Sequence, residues 1–452
     1  MDPFYDSEGN YANINNYNPL ALMDEKTGEL NQSNTQMVNL NPYFQIDFGK
    51  GIYAKTTLGV NINELRQYQY WSALYNPQAV DYNGLGQQYN SRYTTITWNN
   101  VLGWNYTFDK HNINLLLGQE MQRKNYFYEY YSGSDFPFAA DGKTDLSTAG
   151  TPQGSEYYKK EARLASYFMD AHYSYEDKYY VSGSFRRDGS SRFGKENKWG
   201  TFPSAAFAWR VNQESFLRDV SWIDNLKLRV SYGIVGNQNG IGNYTTLGLA
   251  DNKGYEFGNV FQMGYLPGKE LSNPNLKWEQ SATANFGVDF SFFNGRLNGT
   301  VEYYNTHTKD LLVKRSLNAS LGYTTMLDNL GKTKSSGIDL SLNGDVVRTK
   351  EFTWTLGTNF SMYKNEIVRI DDTLDENGKP ASQVAQGWII GEPINVYYDY
   401  LIDGIFQYDD FDITRDGTGN LVYTLKNTYD SDNDGVADSP INYGGAIEPG
   451  MV

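Results

Sequence analysis

Long stretches in which apolar and polar residues alternate constrain this chain more than any other feature. From residue 282 to residue 292 the even positions are Ala, Phe or Val, and the odd positions are Thr, Asn, Gly, Asp or Ser. The same division recurs in 167–175, 205–211, 226–234 and 352–362, the last interrupted at Thr358. Because successive side chains of a β-strand point to opposite faces, each stretch predicts a strand with one apolar and one polar face. The chain is therefore predicted to be all-β.

Strand length and aromatic clusters separate a membrane barrel from a soluble sandwich, which also alternates. Globular strands usually have about five or six residues, whereas these stretches reach about ten or more, enough for a tilted strand to cross a bilayer. The chain has 38 tyrosines, which cluster in 126–131, 179–180, 303–304 and 397–400. Amphipathic rings favour the membrane interface, so we expect interfacial girdles at these segment ends. The alternative is cross-strand pairing in a soluble sheet.

Short turns alternate with long polar connections along the chain. Asn294-Gly295 is a strong hairpin signal, and Asp177-Lys178 predicts a second short turn. Long polar connections are expected at 67–92, 132–156, 236–256 and 371–386. Membrane barrels have short periplasmic turns and long extracellular loops. The sequence thus predicts an antiparallel transmembrane β-barrel of roughly 14 to 16 strands, at about ten residues per crossing, with long extracellular loops.

Charge and composition exclude several other classes. With 38 basic and 53 acidic residues the net charge is -15, which argues against nucleic acid as a partner, since such binding rests on basic patches. Cysteine is absent, which excludes disulfides and thiolate sites. His111, His172 and His307 lie far apart in the sequence, so no imidazole-based catalytic or zinc site is expected. No stretch approaches the roughly 18 apolar residues of a transmembrane helix.

A series of short motifs follows in order along most of the chain. They are YYVSGSFRRDGSSRFG (179–194), WGTFPS (199–204), AWR (208–210), LRVSYG (228–233), GNQ (236–238), NPNLKWE (273–279), GVDF (287–290), YYN (303–305), KDLL (309–312), GIDL (337–340) and DGIFQ (403–407). In this order the motifs closely resemble the SusC/RagA family of TonB-dependent outer-membrane transporters. Each motif alone is modest, and their succession is the signal.

The resemblance implies a barrel of about 22 strands with a plugged lumen in the outer membrane of a Bacteroidetes-type bacterium. It also implies import of oligosaccharides (glycans) or peptides, with a SusD-like surface lipoprotein as a lid. Energy would come from the TonB complex acting on the plug. By this resemblance the protein is not an enzyme and requires no cofactor.

The chain also departs from the family pattern at both ends. We find no plug domain, TonB box or signal peptide before the barrel motifs, and no closing strands or terminal aromatic residue at Val452. We therefore expect a fragment, with residues 1–402 forming a partial barrel and 403–452 a polar loop region that ends before the final strands. An incomplete barrel leaves unpaired strand edges, so we expect this polypeptide alone not to transport.

Several polar and aromatic residues are candidates for substrate contact. Arg186, Arg187 and Arg192 either line the lumen, where they would contact an anionic substrate, or face water at strand ends. Three aromatic residues could stack on sugar rings or anchor loops: Trp71, Tyr75 and Trp388. The substrate-binding residues themselves stay unassigned.

Catalytic motifs are weak in this chain. The pairs Asp371-Asp372 and Asp409-Asp410 lie in polar stretches, where solvated acidic turns are favoured over a glycosidase acid/base pair. Gly189-Ser190-Ser191 has no partnered histidine, which disfavours a nucleophile.

Two rival hypotheses remain at this point. The first is a secreted all-β carbohydrate-binding or glycan-degrading protein, which would fold in aqueous buffer, whereas a barrel piece needs detergent. The second is a passive porin, which a plug encoded upstream would exclude.

One acidic segment has metal-ligand spacing. Positions one, three, five and nine are carboxylates, position six is Gly435, and the seventh supplies a carbonyl, so that the candidate ligands are Asp430, Asp432, Asp434, Val436 and Asp438. Position twelve is Ile441 instead of the glutamate of an EF-hand, so a calcium loop of another kind is the hypothesis. The alternative is a solvated acidic loop.

Calorimetric titration tests this hypothesis directly. A peptide spanning residues 430–438 should release or absorb heat with calcium, and a peptide with Asp432→Asn and Asp434→Asn should not. Absence of heat for the unaltered peptide at millimolar calcium would remove the site.

Overall fold

The computed structural model describes residues 4–12, 18–24, 29–73, 76, 79–138, 145–258, 260–268, 270–396, 411–415, 417 and 421–426. The chain divides into two compact units, Met1–Tyr363 and Lys364–Val452. The predicted boundary between residues 402 and 403 lies outside the described residues and stays a prediction. In these ranges no helix is long and apolar enough to cross a membrane.

Strands make up nearly all of the regular structure. Helix α1 spans Pro19–Met23. The strands are β1 (Leu30–Leu40), β2 (Tyr43–Gly49), β3 (Ile52–Trp71), β4 (Leu85–Phe108), β5 (His111–Ser134), β6 (Thr151–Tyr175), β7 (Tyr179–Ser190), β8 (Trp199–Arg210), β9 (Ile223–Asn237), β10 (Ala250–Phe257), β11 (Val260–Pro267), β12 (Glu270–Leu271), β13 (Glu279–Phe292), β14 (Leu297–Ser316), β15 (Thr325–Arg348), β16 (Thr353–Arg369), β17 (Phe411–Arg415) and β18 (Leu421–Leu425).

One antiparallel meander holds most of these strands. Its 14-stranded sheet has the order β1-β3-β4-β5-β6-β7-β8-β9-β13-β14-β15, with β2 continuing β1 along β3 and β16 pairing with β15. The short β12 runs parallel to the start of β15. Two separate hairpins are formed by β10 with β11 and by β17 with β18. The prediction of an all-β antiparallel barrel sheet is confirmed, and among the described residues the sheet is open, so the barrel is not closed.

Several strands are far longer than the predicted ten or so residues. Strands β4 and β5 have 24 residues each and β6 has 25. The predicted long connections at 67–92 and 132–156 are therefore wrong at their edges, since β3–β4 and β5–β6 pair deep into both segments. The sequence hid this because the extensions carry polar residues on both faces and lose the alternation.

Turn lengths alternate between the two ends of the meander, as predicted. At one end the turns are short, except for the connection from β8 to β9, which spans residues 211–222. Glu176 and Asp177 take positive φ values of 53° and 50°, and Phe293, Asn294 and Gly295 take 59°, 56° and 75°. These left-handed conformations match the strand twist of tight hairpins. At the other end the connections are longer, and we call this the long-loop end.

A carboxylate organises the turn between β8 and β9. Tyr179 Oη donates a 2.5 Å hydrogen bond to Glu214, and Trp209 Nε1 donates one of 3.0 Å. Lys178 lies 3.3 Å from the same carboxylate. The hydrogen bond from Tyr179, with that from Trp209, lowers the pKa of Glu214, which keeps this turn side chain ionised.

The unbroken register arranges side chains in rows across the strands. On one face, called the apolar face, the lower row is Phe108, His111, Tyr175, Tyr179 and Trp209. Ten residues further along β4, the upper row is Trp98, Met121, Ala165, Gly189 and Trp199. Ten residues of strand measure about 33 Å, which at a tilt near 45° gives a band about 25 Å tall, the height of the apolar band of outer-membrane barrels.

The aromatic girdles lie elsewhere than predicted. The tyrosines of 126–131 lie near the end of β5, as predicted, but beyond the upper row. Tyr303-Tyr304 lies in the interior of β14, so the prediction that this pair marks a strand end is wrong. Tyr179-Tyr180 does begin a strand at the short-turn end, as predicted. The cluster at 397–400 lies outside the described residues. The lower row was missed because each of its strands contributes a single ring, and only the register assembles them; in the upper row only Trp98 and Trp199 are aromatic.

A buried apolar cluster closes the long-loop end of the sheet. Its members come from three connections and from the adjoining strand ends: Phe193, Phe202, Ile241, Leu276, Trp278 and Leu327. The Trp278 ring lies 4.9 Å from Phe193 and 5.4 Å from Phe202, centroid to centroid. Its Nε1 donates to the Lys198 carbonyl at 3.1 Å. Four of the sequence motifs, around 193, 202, 236 and 276, therefore meet in one place.

We expect Trp278→Ala to lower the free energy of unfolding by about 3–5 kcal/mol, because it empties a packed site. Trp222, which is 49% exposed, is the matched control, and Trp222→Ala should cost far less. Urea unfolding in lipid vesicles, followed by circular dichroism, measures both. Equal losses for the two variants would contradict a buried cluster.

Candidate functional site

The face opposite the apolar face is lined by charged and polar side chains, and we call it the polar face. Its residues alternate with those of the apolar rows along β7, β8, β9, β13 and β14 and along the parts of β4 to β6 between the two rows. Across neighbouring strands they pair as Asn–Glu, Thr–Thr and Ser–Ser contacts, such as Thr283 with Thr306 at 2.9 Å and Ser184 with Ser204 at 2.6 Å. This face is the candidate site because a barrel of this type encloses its polar side.

An arginine and two carboxylates join three neighbouring strands on the polar face. Arg229 of β9 donates from Nε and Nη2 to the two oxygens of Asp289 of β13, both at 2.8 Å. Its Nη2 also donates to Glu302 of β14. The fork of the guanidinium matches a carboxylate in two parallel bonds, so the pair is both strong and geometrically specific.

Gly287 makes this contact possible. It lies directly opposite Arg229 on one side and Glu302 on the other. A Cβ atom there would lie 2.9 Å from both Cζ and Nη2 of Arg229. The glycine thus leaves the space in which the guanidinium crosses β13. This explains in physical terms why Gly and Asp stand two residues apart in the motif Gly287-Val288-Asp289-Phe290.

A second arginine organises β5, β6 and β7. Arg186 Nε donates to the Asp188 carboxylate at 2.8 and 3.0 Å. Its Nη2 donates to Ser166 at 2.9 Å and to Glu120 at 3.3 Å. The guanidinium also lies 5.4 Å from the centre of the Phe168 ring. Arg186 therefore lies on the polar face, one of the two predicted alternatives, where acidic side chains already surround it.

The other two predicted arginines lie elsewhere. Arg187 points to the apolar face, with its guanidinium 5.6 Å from the centre of the Trp199 ring. Arg192 is in the connection after β7, where Nη1 donates to the carbonyls of Gln238 and Ile241 at 3.2 and 3.1 Å. Burial lowers the pKa of Arg192, and the two carbonyls provide partners for its charge. Arg192 thus holds a loop.

Tyrosines form an array beyond the apolar band. In β5, Tyr126, Tyr128 and Tyr130 share the parity of Glu120 and so belong to the polar face. Their rings contact tyrosines of the two neighbouring strands at centroid distances of 4.2–5.8 Å: Tyr93 with Tyr126, Tyr126 with Tyr158, Tyr128 with Tyr158 and Tyr89 with Tyr130. We name this set the tyrosine array. It offers ring faces and hydroxyl groups on the polar side of the long-loop end.

The predicted calcium loop cannot be compared with the structure. Asp430, Asp432, Asp434, Val436 and Asp438 lie outside the described residues, as do Tyr75 and Asp409-Asp410. Within the described part of the chain, no group of three or more His, Asp or Glu side chains could hold a metal ion. The calcium loop stays a prediction.

The remaining candidates have local structural partners. Asp371 accepts hydrogen bonds from the Thr373 amide at 2.9 Å and from Gln383 at 2.7 Å. Asp372 forms an ion pair with Arg369. Trp71 ends β3 opposite Leu85. These contacts agree with the expectation that the Asp pair is an acidic turn.

The serines and histidines also have local partners. Ser190 donates to Gln238, and Ser191 accepts from the Arg163 amide at 2.9 Å. His111 lies 2.8 Å from the Tyr173 hydroxyl, and His172 pairs with Asp170.

The sequence did not identify Asp289, Glu302 and Glu120 as partners of the arginines. Arg229 and Glu302 are 73 residues apart, and only the strand register brings them together. The alternation had placed Arg229 and Asp289 on the polar side of their strands, which is the one signal the sequence contains.

The sequence of this chain is similar to those of several known proteins. A family model described as TonB dependent receptor-like, beta-barrel, matches residues 2–445. The chain is similar to TonB-dependent receptor P39 of Formosa agariphila, with 32% identity over 416 residues, 88% of this chain and 37% of that protein. It is similar to TonB-dependent receptor SusC of Bacteroides thetaiotaomicron, with 31% identity over 402 residues, 85% of this chain and 39% of that protein. The chain thus spans about two fifths of the length of these relatives.

Solved structures match the fold as well. The RagAB peptide transporter superposes with a TM-score of 0.75 at 25% identity, over 94% of this chain and 47% of that one. A RagAB peptide importer in a closed-closed state gives the same TM-score and identity, over 95% and 48% of the two chains.

The arginine on β9 and the glycine on β13 should be energetically coupled. We expect Gly287→Ala to cost about 1–2 kcal/mol of unfolding free energy, because the added methyl displaces a hydrogen-bonded guanidinium. In an Arg229→Ala background the same change should cost little. Urea unfolding in lipid vesicles gives this double-mutant cycle.

Gly183→Ala is the control for this cycle, since a Cβ there would meet its nearest neighbour at 3.8 Å. If Gly287→Ala costs the same with and without Arg229, the proposed clearance is wrong.

Proposed function

Because the chain belongs to the TonB-dependent receptor-like β-barrel family of the outer membrane, we propose that it forms part of the barrel wall of a SusC/RagA-type importer. The predicted resemblance to this family is confirmed by the relatives and structures matched. The observation that carries the proposal is the division of one continuous sheet into two faces. The apolar face lies between a row of rings and a row that has Trp98 and Trp199 at its ends, and the polar face carries ion pairs.

The apolar face is suited to lipid. Large side chains stay exposed there, including Trp98 at 48%, Leu117 at 52% and Phe286 at 54%. An exposed apolar area of this extent is costly in water, which disfavours the rival hypothesis of a secreted carbohydrate-binding or glycan-degrading protein. In a bilayer the same side chains contact acyl chains, while the backbone groups are satisfied between strands.

The polar face and the tyrosine array are suited to a polar oligomer. Ion pairs such as Arg229 with Asp289 leave a surface rich in hydrogen-bonding groups. Tyrosine rings pack against sugar faces or apolar peptide side chains, and their hydroxyl groups hydrogen-bond to polar ones. Oligosaccharides and peptides are therefore the proposed cargo, and the matched RagAB structure is named as a peptide transporter.

The partners and the energy source follow from the family. We propose a SusD-like lipoprotein at the long-loop end and the TonB complex acting on a plug inside the barrel. The proposed role is transport, because the matched relatives are named TonB-dependent receptors and TonB supplies energy for import. Calcium at residues 430–438 would be a structural ion of a loop and would take no part in energy supply.

Uptake by whole cells tests the proposal. Cells carrying the gene that encodes this chain should take up fluorescent oligosaccharides or peptides, and deletion of the gene should abolish uptake of one of these two classes. A protonophore should have the same effect as the deletion, because TonB-dependent import needs the inner-membrane gradient.

Two results would overturn the proposal. Uptake of both classes that persists after deletion would remove the import function. Gene-dependent uptake that persists with the protonophore would identify a passive pore.

A further inference from the structure

A groove lies on the apolar face at the level of the upper row. Ala165 and Gly189 form its floor, and the Trp199 ring lies over Gly189, where a Cβ would approach within 2.8 Å. Trp98 and Met121 form the opposite wall. The groove encloses about 540 Å³. The small residues Ala165 and Gly189, between Met121 on one side and Trp199 on the other, thus make a depression in the upper row.

The groove exists because β7 has 12 residues and its neighbour β6 has 25. β7 pairs with β6 only as far as Leu164, while β5 and β6 continue together to Ser134 and Thr151. At this step Ser191 donates its amide to the Arg163 carbonyl at 2.9 Å, and its hydroxyl accepts from the Arg163 amide at 2.9 Å. These two hydrogen bonds hold the end of β7 in place. The gap beyond this end, which we call the notch, lies directly above the floor of the groove.

Cations line the notch. Arg123 and Arg163, one row above Met121 and Ala165, share the carboxylate of Glu161 at 2.6 and 2.5 Å. Lys198 lines the same groove, and Arg187 lies over the Trp199 ring from below. Two guanidinium groups thus share one carboxylate, and Lys198 adds a third positive charge along the groove. Each guanidinium has five N–H donors, so donors remain for a further anion after Glu161 is satisfied.

We propose that this groove binds a phosphorylated lipid of the outer leaflet, with its phosphate on Arg123, Arg163 and Lys198 and its acyl chains against Trp98 and Trp199. The inference rests on the proposed function, because it requires the apolar face to meet lipid. Tryptophan marks the headgroup level of a membrane, and the cations lie immediately above that level. Anionic headgroups are attracted to such clusters of arginine and lysine.

A lipid fits the groove better than free phosphate does. The walls are apolar and more than two fifths exposed at Trp98, Trp199 and Met121. An inorganic ion would leave this apolar surface uncovered, whereas an acyl chain covers it. The binding site therefore has two matched parts, a cationic rim and an apolar slot, and the ligand needs both a phosphate and an acyl chain.

Native mass spectrometry of the protein purified in a nonionic detergent tests the site. The probes are a synthetic phosphorylated disaccharide lipid, its dephosphorylated counterpart and inorganic phosphate. The variant is Arg123→Gln with Arg163→Gln and Lys198→Gln, which keeps size and removes charge. We expect it to bind the phosphorylated lipid roughly 10- to 100-fold more weakly than the unaltered protein.

The matched control removes three charges at the short-turn end, with Lys50→Gln, Arg218→Gln and Lys350→Gln, and should bind as the unaltered protein does. A gel shift on heating reports folding of each variant. If the triple variant does not fold, Lys198→Glu alone should still weaken binding, and Trp199→Ala should weaken it without changing the charge.

The outcomes separate this site from the proposed function. Equal binding of phosphorylated and dephosphorylated lipid, or equal binding by the groove variant and the control, overturns the lipid site while gradient-dependent uptake stands. Binding of inorganic phosphate as tight as that of the lipid also overturns it, in favour of a free-anion site. Recovery of the protein in the soluble fraction would overturn the proposed function first.

Discussion

The structure depends on the hydrogen bonds that hold neighbouring strands in a register with few shifts. From β4 through β8 the pairing shows a single shift, between Ser132 and Gly133 near the end of β5. Because side chains alternate with a period of two, this register fixes which residue of each strand belongs to which face. Rows five strands wide, such as the one from Trp98 to Trp199, result directly. A shift of one residue in any strand would exchange its apolar and polar sets.

Glycine residues leave room for large side chains within these rows. At several points a large side chain of one strand lies across a glycine of the next: Tyr53 over Gly103, Phe168 over Gly118, Trp199 over Gly189 and Arg229 over Gly287. A sheet has no spare volume between neighbouring strands, so a ring or guanidinium can lie flat only where the Cβ is missing. The same device makes the ion-pair network on the polar face and the groove on the apolar face. Replacing these glycines would displace the large side chains on both faces, while the pairing of the strands would remain.

The sequence predicts well which residues of a strand share a face, and it predicts the lengths of the strands poorly. Alternation placed Phe286, Val288 and Phe290 on one side of β13, and the register pairs them with Val230, Leu228 and Leu226. The length of β4 to β6 was not predicted, because their extensions carry polar residues on both faces and do not alternate. For the polar face, the sequence contains Arg229 and Asp289 but not the distance between them, since their pairing depends on strands far apart in the chain. The motif at 179–194 contains the three candidate arginines. The structure places Arg186 on the polar face, Arg187 on the apolar face and Arg192 in a loop.

In the proposed importer, the extension of β4 to β6 beyond the upper row would change where a solute first meets the protein. From Trp98 to Leu85, β4 continues for about 43 Å, or about 30 Å of height at the same tilt. Under that proposal Tyr130 and its neighbours would lie in bulk water, outside the low-dielectric layer. Solutes would then be discriminated at that height before any cost of entering the membrane is incurred. The wall would act as a sorting vestibule, from which a rejected molecule leaves by simple diffusion.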